Sequence, residues 1–168
     1  MISLIVAATK NNAIGKDNKL LFHIKEDLRF FKETTINKTI IMGRKTFEAL
    51  PGVLPLRKHI VITRNNDYKI YSSQVEIRHS LDEVLEEVRY SNEEIFVIGG
   101  EEIFRQTLDK GIVDKIYLTR IDKTVEDADT FFPEISDDNF NVVDRKVLTD
   151  DATVFVYENI IKSSLQIS

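Results

Sequence analysis

The sequence predicts an α/β fold: one domain over residues 1–168, with a central mixed, mostly parallel sheet of about eight strands, helices on both faces and a C-terminal antiparallel hairpin. Continuous apolar runs such as ISLIVAA and IFVIGG suit strands buried on both faces. These runs alternate with helix-periodic segments through the first two-thirds of the chain, which implies parallel pairing. The stretch FNVVDRKVLTDDATVFVYENI reads instead as two strands joined by a turn near Asp150-Asp151.

Taken in order, residues 2–8 form the first strand and TKNNAIGKDNK (9–19) a long polar loop. A loop of that length inside a compact domain carries function or is disordered. Residues 25–35 have helical periodicity. TIIMG (39–43) and HIVIT (59–63) read as strands, with a short helix after the first. QVEIR (74–78) is strand-like, and SLDEVLEEVRY (80–90) is a helix capped by Ser80, with Glu83 completing a capping box. IFVIGG (95–100) ends in two glycines before the helical EEIFRQTL, and DKIYLTRI (114–121) is a further strand.

Composition excludes several functions. The net charge is −5, which argues against a general binder of nucleic acid or anionic membranes. The sequence has no cysteine, so disulfides, thiolate metal sites and cysteine nucleophiles are out. His23, His59 and His79 lack i+4 spacing, so no metal site is expected. MISLIVAATK reads as a buried strand rather than a signal peptide. No apolar run reaches the ~20 residues of a membrane span. The expected location is the cytoplasm and the expected state a monomer.

One charge breaks the helical pattern of residues 24–35. Lys25, Glu26, Arg29, Lys32 and Glu33 share one side, while Ile24, Leu28, Phe30 and Phe31 form the opposite arc. Asp27 falls inside the apolar arc. A buried carboxylate costs several kcal/mol unless it is paired or hydrogen-bonded. Either Asp27 accepts backbone N–H groups near the helix start, or it awaits a polar ligand in an apolar pocket, with its pKa raised by desolvation. Phe22, Phe30 and Phe31 suit a flat heterocycle, although core packing is their commoner use.

Phosphate chemistry gathers at strand ends. GRKT at 43–46 is no Walker A loop, because Arg44 follows the glycine and Lys38 stands where the motif's first glycine belongs. VIGGEEIF lacks the G-x-G-x-x-G pattern of a Rossmann turn. Gly43 and Gly99-Gly100 nevertheless each end a strand before a helix. Such carboxyl ends bind ligands, and helix N-termini attract anions. Arg44, Lys45, Thr46, Thr63 and Arg64 add cations and hydroxyls. Arg64 beside Arg44 suits an extra phosphate such as a ribose 2′-phosphate.

Together these blocks resemble dihydrofolate reductase. ISLIVAATKNNAIGKDNKL is similar to that family's first strand and active-site loop, and EDLRFFK to its substrate helix. IMGRKTFEALPGVLPLRKHIVITR resembles its cofactor segment, FVIGGEEIF its Gly-Gly motif, and YLTRI with DADTFFP its late strand and cofactor loop. The resemblance implies reduction of 7,8-dihydrofolate to tetrahydrofolate with NADPH, in support of one-carbon metabolism. It implies a catalytic group of Asp27, Thr119, Leu20 and Phe22, with Asp27 holding the pterin amino group and ring N–H and favouring N5 protonation. Ile5, Val6, Ala7, Leu28, Phe31, Lys32, Leu50, Leu54 and Ile98 would line the substrate pocket, and Arg57 would grip the glutamate α-carboxylate.

On the cofactor side the resemblance places Ala7, Ile14, Leu20 and Ile98 near the nicotinamide and counts Gly15, Asn18, Gly43, Gly99 and Thr130 among the cofactor-binding residues. Arg44, Thr63 and Arg64 would face the 2′-phosphate. Lys45, Thr46 and the helix start at Gly100, Glu101, Glu102, Ile103 and Phe104 would handle the diphosphate. The Gly99–Gly100 bond is expected to be cis. Leu21-Phe22 replaces the family's usual Pro-Trp, so the indole hydrogen-bond donor is lost. Lys25 replaces a common proline, and Glu101 and Glu102 must point away from phosphate. The competing readings are a pyrimidine reductase of riboflavin synthesis, a non-catalytic NADPH-binding module, and a structural α/β domain in which Asp27 is a satisfied cap.

Overall fold

The structure, a computed structural model, describes residues 1–161. The strands of its main sheet are β1 (Ile2–Thr9), β4 (Thr39–Gly43), β5 (Lys58–Ile62), β6 (Val75–Arg78), β7 (Ile95–Gly99), β8 (Lys115–Ile121), β10 (Phe140–Thr149) and β11 (Ala152–Asn159). They pair in the order β10-β11-β8-β1-β7-β4-β5-β6. All pairs from β8 to β6 are parallel. β11 runs antiparallel to both β8 and β10, so the expected hairpin closes one edge, turning at Asp150-Asp151.

The helices are α1 (Lys25–Thr35), α2 (Arg44–Ala49), α3 (Leu81–Val88) and α4 (Glu101–Asp109). Apolar side chains separate into two cores, one per sheet face. Leu4, Ile41, Val97 and Leu118 pack with Leu81, Val84 and Leu85 of α3 and Phe104 of α4. Ile5, Ile40, Met42, Val61 and Phe96 pack with Phe30 and Phe31 of α1 and Phe47 of α2. This two-sided burial explains why the central strands are apolar throughout instead of alternating. Ser80 caps α3 by accepting the Glu83 N–H.

Residues 9–19 correct the expectation of a long loop. They contain β2 (Ala13–Lys16) and β3 (Lys19–Leu20), which join β9 (Thr130–Phe131) in a second, three-stranded sheet. Asp17 and Asn18 make the turn with φ of 50° and 60°, the left-handed backbone that a two-residue hairpin requires and that Asp and Asn tolerate. Gly15 lies where this small sheet is tightest. A Cβ there would sit 2.7 Å from Thr130 Oγ1 and 3.2 Å from the Lys19 carbonyl. Gly15→Ala is therefore expected to pry β2 from β9, costing about 1–3 kcal/mol of stability, as overpacking does. Amide hydrogen exchange checks this: the Asp129 N–H, bonded to the Gly15 carbonyl at 3.2 Å, should lose protection before the main sheet does.

Candidate active site

A cleft of about 1510 Å³ opens at the carboxyl ends of β1, β4, β5 and β7. Its walls come from β1, the small sheet, α1, the starts of α2 and α4, and the segment leading into β5. Nearly every residue expected at a ligand lines it. Ile5, Val6, Ala7, Asp27, Leu28, Phe31, Lys32, Leu50, Leu54 and Arg57 lie on the cleft wall. So do Ile14, Gly15, Asn18, Leu20, Gly43, Arg44, Lys45, Thr46, Thr63, Arg64, Ile98, Gly99, Gly100, Glu101, Glu102, Ile103, Phe104 and Thr130.

Phe22 and Thr119 are the exceptions. Phe22 lies in a small adjoining recess with Ala7, Ile14 and Leu20, its ring 5.1 Å from Lys123 Nζ. Thr119 stands behind Asp27, buried, and donates its hydroxyl to Asp27 Oδ1 at 2.6 Å. The sheet register places Thr119 beside Ala7, so the pair forms the floor under the carboxylate.

Asp27 is no helix cap. The N-cap of α1 is Ile24, which makes no side-chain cap bond, and the Asp27 carboxylate is held by Thr119. No cation pairs with Asp27 among the described residues. Burial pushes its pKa above the ordinary carboxylate range, and the Thr119 hydrogen bond only partly opposes this. Tyr117 steadies the helix from below, its ring 6.4 Å from Phe30 and 5.8 Å from Phe96. The Tyr117 hydroxyl donates to Glu94 at 3.1 Å, and its pKa is raised by burial and then by that carboxylate. α1 buries only Thr35 fully, while Leu28 is 44% exposed toward the cleft.

The opposite end gathers two helix starts, glycines and several cations. Gly43 and Gly100 are the N-caps of α2 and α4, and neither helix start has a side-chain cap. Glu101 accepts the Phe131 N–H at 2.7 Å and Glu102 pairs with Arg105 at 3.1 Å. Both carboxylates are thus occupied by protein partners, although both residues line the cleft. The Gly99–Gly100 bond is cis. Gly99 has φ +134°, a backbone conformation that calls for glycine, while a Cβ there would meet Phe104 and Thr46 only at van der Waals contact, 3.5 Å. The β4–β7 register slips between Ile41 and Met42, which pair with Val97 and Gly99. Ile98 is the extra residue, and the bulge turns a core-strand side chain to the cleft.

Arg44 ion-pairs with Glu48 at 3.0 Å, both ends being part-exposed. Such a pair contributes only about 0.2–1 kcal/mol, so an incoming phosphate can compete for the guanidinium. Arg64 is exposed and pairs with no carboxylate among the described residues. Thr63 is buried, and its hydroxyl accepts the Asn65 N–H at 3.2 Å. Uncapped N–H groups, cations and close-packed glycines fit an elongated cofactor that carries a diphosphate and a further phosphate.

Sequence reasoning missed Lys19, His23, Asn65, Tyr68 and His79 on the wall. His79 Nδ1 donates to the Thr63 carbonyl at 2.8 Å, just beyond the end of β5. Its position directly after a strand ending at residue 78 was the available signal.

Fold and cleft define the class: an α/β enzyme whose site joins a half-buried acid to a cationic, glycine-bearing edge of a parallel sheet. The family model for dihydrofolate reductase matches residues 1–162. The dihydrofolate reductase of Haemophilus influenzae is 44% identical over 135 residues, covering 80% of this chain and 79% of that one. That of Bacillus subtilis is 40% identical over 151 residues, covering 90% and 86%. The solved structure of dihydrofolate reductase from Enterococcus faecalis complexed with NADP(H) and RAB-propyl superposes with a TM-score of 0.83. It shares 34% identity and covers 95% of this chain and 96% of that one. The chain belongs to the dihydrofolate reductase family and is an NADPH-dependent oxidoreductase.

Proposed function

We propose that the protein reduces 7,8-dihydrofolate to 5,6,7,8-tetrahydrofolate and that the cleft residues divide the work. The observation that carries this reading is Asp27, a half-buried carboxylate with no cation partner among the described residues, held by Thr119 at the floor of a largely apolar cleft. Bound NADPH supplies the hydride that is added at C6 of the pterin.

Asp27 binds the pterin 2-amino group and the adjacent ring N–H, and its charge favours a proton at N5. Thr119 fixes one carboxylate oxygen and leaves the other for the ligand. Ile5, Ala7, Leu28 and Phe31 hold the flat ring and exclude water, fixing its orientation in the cleft. Leu20 and Phe22 close the side of the loop from β2 to α1. With phenylalanine at position 22, no indole N–H is available to hold water near Asp27.

The cofactor would be held by the N–H groups starting α2 and α4, with Lys45 and Thr46 at the diphosphate and Arg44, Thr63 and Arg64 at the 2′-phosphate. Arg57 takes the glutamate α-carboxylate. It is 5% exposed, and burial lowers its affinity for its proton, so a carboxylate partner compensates the desolvated charge. Arg57→Leu is expected to raise KM for dihydrofolate about 10²–10³-fold with kcat nearly unchanged. A fall in kcat with constant KM in steady-state assays contradicts this role.

The reading as a whole is tested with purified protein. NADPH should be oxidised only when dihydrofolate is present, and far more slowly when NADH replaces it. NADPH oxidation that needs a ribosylamino pyrimidine in place of dihydrofolate would identify the riboflavin-pathway alternative. We read the protein as a cytoplasmic monomer without a nucleic-acid partner. The net charge of −5 supports the last point. Among the described residues no helix is long and apolar enough to cross a membrane. Size-exclusion chromatography with light scattering checks the monomer.

A further inference from the structure

We propose that His59, a residue outside the cleft, is a positioning residue for substrate affinity: it locks the turn that presents Leu54 and Arg57. The inference rests on the proposed role of Arg57. His59 lies on β5 and is fully buried. One ring nitrogen, Nε2, receives the Leu54 N–H at 3.0 Å. The other, Nδ1, lies 3.0 Å from the Arg57 carbonyl. A backbone N–H can only donate and a carbonyl can only accept. The ring is therefore neutral and carries its proton on Nδ1. No other protonation state satisfies both contacts.

The two contacts span the turn from Leu54 to Arg57. Gln74 braces the same turn, its Nε2 donating to the Leu54 and Arg57 carbonyls at 3.1 Å each. The His59 N–H closes the clamp by donating to the Gln74 carbonyl at 2.7 Å. Within the turn Leu56 has φ +56°, a conformation that a bulky residue keeps only where surrounding bonds over-determine it. The Asn37 N–H donates to the Leu56 carbonyl at 2.7 Å.

The turn in turn aims Arg57. Its Nε donates to the Pro55 carbonyl at 2.9 Å and its Nη1 to the Thr35 hydroxyl at 3.3 Å. Thr35 ends α1, the helix that carries Asp27, and its hydroxyl donates to the Phe31 carbonyl at 2.8 Å. The remaining guanidinium donors have no protein partner among the described residues and open to the cleft. A guanidinium fork needs a fixed plane to bind a carboxylate through two bonds, and the clamp supplies that plane. Burial holds the His59 proton affinity below its ordinary range, against the bond to the Arg57 carbonyl, and the Arg57 charge adds to the lowering. The neutral ring is thus favoured at physiological pH.

The test compares dihydrofolate with a dihydropterin lacking the benzoylglutamate tail. His59→Leu removes both bonds. Its KM for dihydrofolate should rise about tenfold, the value of one to two lost hydrogen bonds, while kcat and all constants for the tail-free substrate stay near wild type. His59→Asn keeps a donor at the Nδ1 position and His59→Gln an acceptor at the Nε2 position, so each should recover part of the loss. Gln74→Leu should reproduce the same tail-dependent pattern. An unchanged KM, or equal losses on both substrates, overturns the proposal. If His59→Leu does not fold, nitrogen NMR of the wild-type imidazole decides. A neutral ring protonated on Nδ1 at pH 7 supports the clamp, and a ring protonated on Nε2 or on both nitrogens refutes it. A wild-type protein that fails to turn over dihydrofolate overturns the proposed function instead, whatever the tautomer.

Discussion

Asp27→Asn should lower turnover of dihydrofolate about 10²–10⁴-fold, the usual contribution of a positioned acid–base group, while NADPH binds almost as before. Asparagine can still accept the Thr119 hydroxyl, so the floor of the cleft stays intact. What it lacks is the charge that favours a proton at N5 and the ability to exchange one. The pH profile separates the two proteins further. The reaction takes up a proton, so kcat/KM of the wild type should fall as pH rises and N5 loses its proton. The Asp27 charge favours that proton, so in the variant the same limb should lie at lower pH.

Stability should move the other way. The folded-state pKa of Asp27 is raised above its unfolded value of 3.8. The associated stabilisation is therefore fully present below pH 3.8 and is lost as pH rises through the folded pKa. At pH 7 the native state carries a buried charge that it would be more stable without. Asp27→Asn should consequently melt at a higher temperature than wild type at pH 7, with the gap closing in acid. A group kept at a cost to stability is expected at an active site. A variant that matches wild type in turnover would end the assignment of Asp27.

The same carboxylate shows how far the sequence could be read. Its place in the apolar arc of residues 24–35 marked it as anomalous, and α1 has those periodic bounds because helix pitch imposes a pattern on side chains. The choice between cap and ligand could not come from that pattern. It depended on Thr119, distant in sequence and brought beneath Asp27 by the parallel pairing of β8 with β1. The central strands were legible because burial on both faces leaves an unbroken apolar run. The small sheet was not, because β2, β3 and β9 are two to four residues long and carry no apolar run, and β9 lies far along the chain. The Asp17-Asn18 turn was its one local signal. His59 was equally opaque. A histidine inside HIVIT looks like any strand residue until the Leu54–Arg57 turn folds against it.

Replacing Arg44 and Arg64 together by alanine should raise KM for NADPH by about 10²-fold or more while leaving KM for NADH nearly unchanged. Each guanidinium is a charge-assisted donor to phosphate, worth about 1.5–3 kcal/mol, and only NADPH carries the 2′-phosphate. The single variants should differ. Arg64 has no carboxylate partner among the described residues, so its loss removes one attraction and leaves the rest in place. Arg44 is bonded to both oxygens of Glu48, at 3.0 and 3.1 Å. Its removal also strips Glu48 of its counter-charge and leaves an anion close to the phosphate position. Arg44→Ala should therefore cost more than Arg64→Ala, and adding Glu48→Gln to Arg44→Ala should recover part of the affinity. The penalty should shrink as salt is added, since exposed charges are screened over about 10 Å at 0.1 M. Steady-state comparison of the two cofactors at low and high salt measures all of this. A double variant that still prefers NADPH as strongly as wild type would move the 2′-phosphate away from this strand end.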